Sequence, residues 1–193
     1  MSTWLGTEPL SMGRVTLRPL VSDDAEALAR IVDDPDRFRW VPGVPTDPES
    51  SRRWLESARV DPSYRVAYAV IDNTDGRLVG STSYYEIDPY NLTATIGYTF
   101  YAEDVQGTTI NPTAKFLLMR HAFEDCGAVR LVWHTHEHNA QSRAAIAKLG
   151  ATFEGLLRKH RRFGDGWRTT AQYAMTDDDW PTARAGLMER ISG

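Results

Sequence analysis

The segment Val105-Gln106-Gly107-Thr108-Thr109-Ile110-Asn111-Pro112 joins two stretches of different periodicity. Before it, residues 92–101 alternate as a strand does. After it, residues 115–123 place Phe116, Leu117, Met119, Ala122 and Phe123 at helical spacing. Asn111 is the expected N-cap of that helix, with Pro112 at its first position and Gly127 just past its end. The small and hydroxylated residues leave backbone N–H groups open, and the helix start adds partial positive charge. The junction is therefore a candidate phosphate cradle, to which Lys115 can bring a formal charge from the first turn. A plain strand-to-helix loop with a good cap has the same composition, so the junction alone leaves both readings open.

Toward the N-terminus, residues 66–71 and 78–87 are strand candidates around the tight turn Asn73-Thr74-Asp75-Gly76. With residues 92–101, beyond the turn Asp88-Pro89-Tyr90-Asn91, they form an antiparallel meander. A helix runs through Trp54 and Leu55, started by a capping box from Thr46 to Glu49 with Pro48 in a helical dihedral. The turn-rich Val41-Pro42-Gly43-Val44-Pro45 separates it from a helix through Ala25, Leu28, Ala29 and Val32. That helix is capped by Ser22 or Asp23 and followed by Pro35. Val15 and Leu17 mark a first strand. Toward the C-terminus, Val129, Leu131 and Trp133 mark another, and Asn139 or His138 starts a helix that stops at Gly150. Two last strands, near residues 153–162 and 169–175, flank Gly164-Asp165-Gly166. The order predicts an α+β fold: a mixed, mostly antiparallel central sheet flanked by helices, with one parallel βαβ crossover in its middle.

The chain has 193 residues, which suits a single domain over 1–193. Its net charge of -4 argues against a nucleic-acid groove, which needs a basic stripe. Cys126 is the one cysteine, so no intrachain disulfide is possible and a reducing cytoplasm is expected, with Cys126 structural. The start lacks a basic stretch followed by an apolar run, and no segment approaches the ~20 apolar residues of a membrane span, so no membrane contact is expected. His134, His136 and His138 alternate, but no nearby carboxylate or cysteine completes a ligand set, and no metal site is expected.

Further stretches share the order of one known family. They are Ile96-Gly97-Tyr98, Ala114-Lys115-Phe116-Leu117-Leu118, Asn139-Ala140-Gln141-Ser142, Lys148-Leu149-Gly150-Ala151-Thr152-Phe153 and Leu157-Arg158-Lys159-His160. With the 105–112 junction, the chain from Val15 to about Leu187 resembles the GCN5-related N-acetyltransferase family in its RimJ/RimL-like branch. That family holds the pyrophosphate of coenzyme A on the amides of a Q/R-x-x-G-x-G/A loop. Gln106 takes the first position; Thr109 stands where glycine is usual, and Asn111 where glycine or alanine is usual. A threonine disfavours positive φ, so Thr109 is expected to have ordinary dihedrals.

The resemblance implies the acyl-CoA N-acyltransferase fold and acyl-coenzyme A as co-substrate. It implies direct transfer in a ternary complex, of acetyl above all, to a primary amine of a small molecule or a protein N-terminus. Gln106, Gly107, Thr108, Thr109, Ile110 and Asn111, with Lys115, Asn139 and Ser142, would hold the coenzyme. Backbone N–H groups from Phe100 and Tyr101 to Ala102 would face the acyl oxygen. Many members place a tyrosine as general acid where this chain has Ile146, so Ser142 is the substitute candidate. The acceptor amine must lose a proton before attack; Glu86 is the first candidate base and Glu103 the second, with His134 or His136 acting through water as a further route. Trp40, Tyr84 and Tyr85, beside Trp54, would shape the acceptor pocket. Arg158, Lys159, Arg161 and Arg162 read as solvated, or as partners of an anion. Homodimers are a common habit of the family. The alternatives are a catalytically silent acyl-CoA-binding module and transfer of a larger acyl group such as succinyl.

Overall fold

A computed structural model describes residues 4–32, 38–41, 44, 45 and 47–192. The spine of its sheet is β4 (Arg77–Asp88), whose residues 78–85 are buried in unbroken succession. That pattern belongs to a strand covered on both faces. β3 (Arg65–Asp72) and β5 (Thr93–Tyr101) flank β4 antiparallel, as the meander predicts. β2 (Val15–Pro19) pairs with β3, and a three-residue β1 (Leu10–Met12) pairs with β2. On the other side of β5 come β6 (Arg130–His136), β8 (Gly166–Thr176) and β7 (Thr152–Phe163), completing the order β1-β2-β3-β4-β5-β6-β8-β7. Among the described residues only β5 and β6 run parallel, joined through α3 (Ile110–Arg120) as the single crossover.

α1 (Ala25–Ile31) and α2 (Pro48–Arg59) pack on each other. The box that starts α2 lies one residue later than expected. Asp47 accepts from the N–H groups of Glu49 (2.9 Å) and Ser50 (3.0 Å), and the Asp47 N–H donates to Ser50 Oγ at 3.1 Å. A carboxylate is the better cap, and Pro48 follows it at the first helical position. Thr46 lies outside the described residues, as do Pro35, Pro42 and Gly43.

The start of α3 also differs. The helix begins at Ile110, whose N–H donates to Thr108 Oγ1 at 3.3 Å, while that hydroxyl donates to the Val105 carbonyl at 2.6 Å. Asn111 is therefore inside the first turn instead of capping it. Pro112 sits where an N–H has no helical partner anyway, so its missing donor costs nothing. Residues 112–119 are all buried; a helix covered on every side is an internal one. A wide turn, His121–Asp125, extends α3, and Gly127 at φ +67° ends it. Cys126 beside it has a free thiol 3.4 Å from His121 Nε2.

Of the two expected starts for α4 (Ala140–Ala147), Asn139 is the cap: its Oδ1 accepts from the Ser142 N–H at 3.0 Å. The sequence reading ended on the β7–β8 hairpin, yet α5 (Trp180–Ser192) follows and packs on α3. Trp180 stacks on Phe123 (5.5 Å between centroids) and lies 5.8 Å from Phe116. Among the described residues no helix is long and apolar enough to cross a membrane.

Candidate active site

β5 and β6 pair at three positions only, Thr93 with Arg130, Ala94 with Leu131 and Thr95 with Val132. Both strands continue without further pairing to each other, and a cavity of about 720 Å³ opens between them, lined by Ile96 to Tyr101 on one side and Trp133 to Thr135 on the other. β5 is bent at this point. Two of its residues, Tyr98 and Thr99, stand opposite the single residue Thr82 of β4, a bulge. Tyr98 takes φ +49° beneath the Arg65 guanidinium, 3.7 Å from its ring centroid. Gly97 is required on steric grounds, because a Cβ there would meet Tyr85 Cε1 at 2.7 Å. Lys115 reaches up from α3, and its Nζ donates to Thr82 Oγ1 (2.8 Å) and Thr99 Oγ1 (2.5 Å). Burial pushes this amine down to about 7.

The junction before α3 forms one wall of the cavity. Gly107 adopts φ +76°, while Thr109 is ordinarily helical at φ -73°, so a threonine is tolerated there. Gln106 and Thr108 donate their N–H groups to Glu103 and Val105 carbonyls. Among the described residues, the N–H groups of Gly107, Thr109 and Asn111 have no acceptor. Asn111 Oδ1 is buried and also lacks a partner. Gln106, Gly107 and Asn111 line the cavity, with Thr108, Thr109 and Ile110 behind them. Three open donors at the start of a buried helix fit a phosphate. Lys115 does not add its charge to this cradle, because its side chain turns onto the sheet. Asn139, Ser142 and Ile146 line the facing wall. Of the expected backbone donors on β5, the Ala102 N–H is bound to the Val79 carbonyl at 2.8 Å. Alternation along that ladder turns the Tyr101 N–H toward β6 and the Phe100 N–H toward β4.

At the far end of the cavity, Trp40 lies over His136 with centroids 4.3 Å apart. Tyr85 and His134 line the same end. The Tyr85 hydroxyl is 3.3 Å from His134 Nδ1, and His134 Nε2 is 3.0 Å from Gln172 Oε1. The carbonyl of Gln172 can only accept, so Nε2 carries the proton and Nδ1 accepts from Tyr85. Burial lowers the pKa of His134, outweighing Gln172 and Glu86, which raise it. Glu86 itself is not on the cavity wall. It sits at φ +50°, binds Arg161, accepts from Thr95 Oγ1 at 3.0 Å, and stands 3.8 Å behind His134 Nδ1.

Two expected site residues fall elsewhere. Tyr84 follows the alternation of β4 away from Tyr85; it is fully buried and its hydroxyl donates to the Leu118 carbonyl. Glu103 is exposed in the turn Glu103–Val105, outside the cavity wall. The sequence reading missed Arg168, which lines the cavity from β8. Arg161 and Arg162, read as solvated or as partners of an anion, both line the cavity: Arg161 is half-buried against Glu86, and Arg162 is exposed over the Trp167 ring at 4.4 Å. Among the described residues no group of three or more His, Cys, Asp or Glu side chains gathers as a metal site would.

Comparison with known proteins fits this geometry. Residues 14–152 match the family model "Acetyltransferase (GNAT) domain". Over 174 residues the chain is 28% identical to "Putative ribosomal N-acetyltransferase YdaF" of Bacillus subtilis (strain 168), covering 86% of this chain and 93% of that one. Among solved structures, a GCN5-related N-acetyltransferase from Brucella melitensis superposes with a TM-score of 0.89 at 27% identity, over 96% of this chain and 86% of that one. The fold of Mycobacterium smegmatis RimJ, solved in complex with CoA-disulfide, matches with a TM-score of 0.80 at 24% identity, over 95% and 93%. The chain belongs to the GCN5-related N-acetyltransferase family, as a member of its RimJ/RimL type.

Proposed function

We propose that this chain, working as one domain in the cytoplasm, transfers acetyl from acetyl-coenzyme A to a primary amine of a small molecule or a protein N-terminus by direct attack. The open N–H groups of Gly107 and Asn111 at the edge of the β5–β6 cavity, with that of Thr109 behind them, carry this reading. Acetyl-coenzyme A supplies the activated acyl group. The cradle fixes its phosphates, and the bulge at Tyr98 and Thr99 shapes the β5 wall beside the acyl carbon. The Tyr85 hydroxyl accepts the proton of the attacking amine as its own proton passes to His134 Nδ1. His134 is neutral beforehand because burial disfavours its charged form, and Glu86 stabilises the imidazolium that results. Ser142, whose hydroxyl makes no hydrogen bond among the described residues, donates to the leaving sulfur from the opposite wall.

The test is thermal unfolding with and without excess acetyl-coenzyme A, for the wild type and a Gln106→Glu, Thr108→Asp variant. At ~100 times its dissociation constant the ligand adds about 2.7 kcal/mol of apparent stability. The shift should vanish in the variant, whose new carboxylates repel phosphate. An acceptor screen follows, in which His134→Gln lowers turnover by roughly 10²-fold. A wild type that does not respond to the coenzyme would defeat the proposal. Ile146, on the wall where the family has its tyrosine, favours a second reading, an acyl-CoA-binding module without turnover. Acetylation of any amine excludes it.

A further inference from the structure

The acceptor end of the cavity is basic in a chain whose net charge is -4. Arg161, Arg162 and Arg168 all line it, and of the three Arg161 is the one bound to a carboxylate among the described residues, that of Glu86. Arg162 lies against Trp167. Arg168 is different from both. It is 8% exposed, and among the described residues its one side-chain hydrogen bond is from Nε to Thr170 Oγ1 at 3.0 Å. No carboxylate among the described residues lies within ion-pair reach of it. Its charged and titratable neighbours are Arg161, Tyr85 and the histidines 134, 136 and 160, most of them cationic or able to become so. His160 Nδ1, on the same wall, is buried and has no partner.

A guanidinium this buried needs an anion or an aromatic face to offset its desolvation; Arg65, equally buried, lies on the Trp54 and Tyr98 rings, whereas Arg168 has neither among the described residues. The planar fork of Arg168, held by one nitrogen, leaves both terminal nitrogens for a bidentate contact. The phosphates of the coenzyme belong to the start of α3, where open N–H groups await them, so they do not account for this cation. Resting on the acyltransferase reading above, we propose that the acceptor carries a carboxylate close to its reactive amine, and that Arg168 binds this carboxylate with His160 beside it. Tyr85 and His134 then meet the amine, while Arg168 holds the acid. The carboxylate has two possible sources, the α-carboxylate of a free amino acid or an acidic side chain next to a polypeptide N-terminus.

Binding is measured calorimetrically with free coenzyme A present, so that turnover is not needed. One arm compares serine with serinamide. The other compares two C-terminally amidated tetrapeptides that begin with serine and carry aspartate or asparagine second. The wild type should prefer the carboxylate in one arm by at least about tenfold, the worth of a charge-assisted contact, and that arm identifies the source. Arg168→Gln should bring the ratio near one, whereas Arg168→Lys keeps part of it, and retention of the acetyl-coenzyme A thermal shift shows that the variants fold. Equal binding of acid and amide in both arms, or a preference unchanged in Arg168→Gln, overturns the proposal. Selective binding with no acetylation of any of the four would instead defeat the acyltransferase reading and leave the anion site standing.

Discussion

Lys115→Met isolates the cost of a cation sealed between α3 and the sheet. The lysine is 5% exposed, and its hydrogen bonds run to the hydroxyls of Thr82 and Thr99. Burial lowers its pKa from 10.5 to about 7. Between those values the unfolded chain holds a proton that the folded chain has released. Stability therefore rises with pH across that window, and the penalty is complete below it. Each pH unit is worth about 1.4 kcal/mol at most, so linkage gives the wild type about 2 to 3 kcal/mol between roughly pH 7.5 and pH 9.5. Methionine keeps the unbranched shape and cannot titrate. It also leaves no orphan, because the two threonine hydroxyls already lie 2.9 Å apart. Urea unfolding of both proteins at three pH values across this range reads the difference directly, since every other titrating group is common to them. The stability of the wild type relative to Lys115→Met should climb by that amount. Parallel profiles would refute the reasoning, for they would mean that Lys115 stays charged in the fold.

Three other perturbations have definite expectations. Asn139→Ala removes the acceptor that caps α4 and should cost about 1 kcal/mol, seen as a drop of roughly 2–4 °C in Tm. Trp180→Ala removes the ring that joins α5 to Phe116 and Phe123 and should cost about 3–5 kcal/mol in chemical unfolding; a loss under about 1 kcal/mol would mean that α5 is dispensable. Asp72, 1% exposed, accepts from Arg14 and from the Thr74 N–H, which holds its carboxyl well below the usual range. The stability this contributes is present above the ordinary carboxylate pKa and is lost as pH falls toward the lowered one, so Asp72→Asn should flatten that part of the acid-unfolding profile.

Much of the fold was legible because the periodicity was clean. The meander from β3 to β5, the crossover through α3 and the β7–β8 hairpin all announce themselves by alternation, turn residues and helical spacing. The errors arose where several residues offered the same local chemistry. Thr108, Thr109 and Asn111 can all cap a helix, and burial of Ile110 decided for a start two residues earlier. Asp47 sits one position from Thr46 and has the same ambiguity. α5 carries only two buried residues, Trp180 and Leu187, too sparse a stripe for periodicity to mark. Tyr84 was avoidable, since adjacent strand residues face opposite ways and only one of two tyrosines can reach a cavity. At the site, the cradle could be read because it is local. Arg168 and Lys115 could not, because a buried cation looks like a surface one until tertiary structure supplies its neighbours.

The short seam between β5 and β6 makes the sheet two blocks, β1–β5 and β6–β8, joined by three residue pairs and by the helices behind them. Such a joint is a wedge, held at its narrow end by the three pairs and unpaired across its wide end. A molecule lying along the free edges beyond Thr95 and Val132 takes hydrogen bonds that a strand would otherwise take. If the proposed coenzyme pairs with both edges, it becomes a beam of the building as well as a reactant.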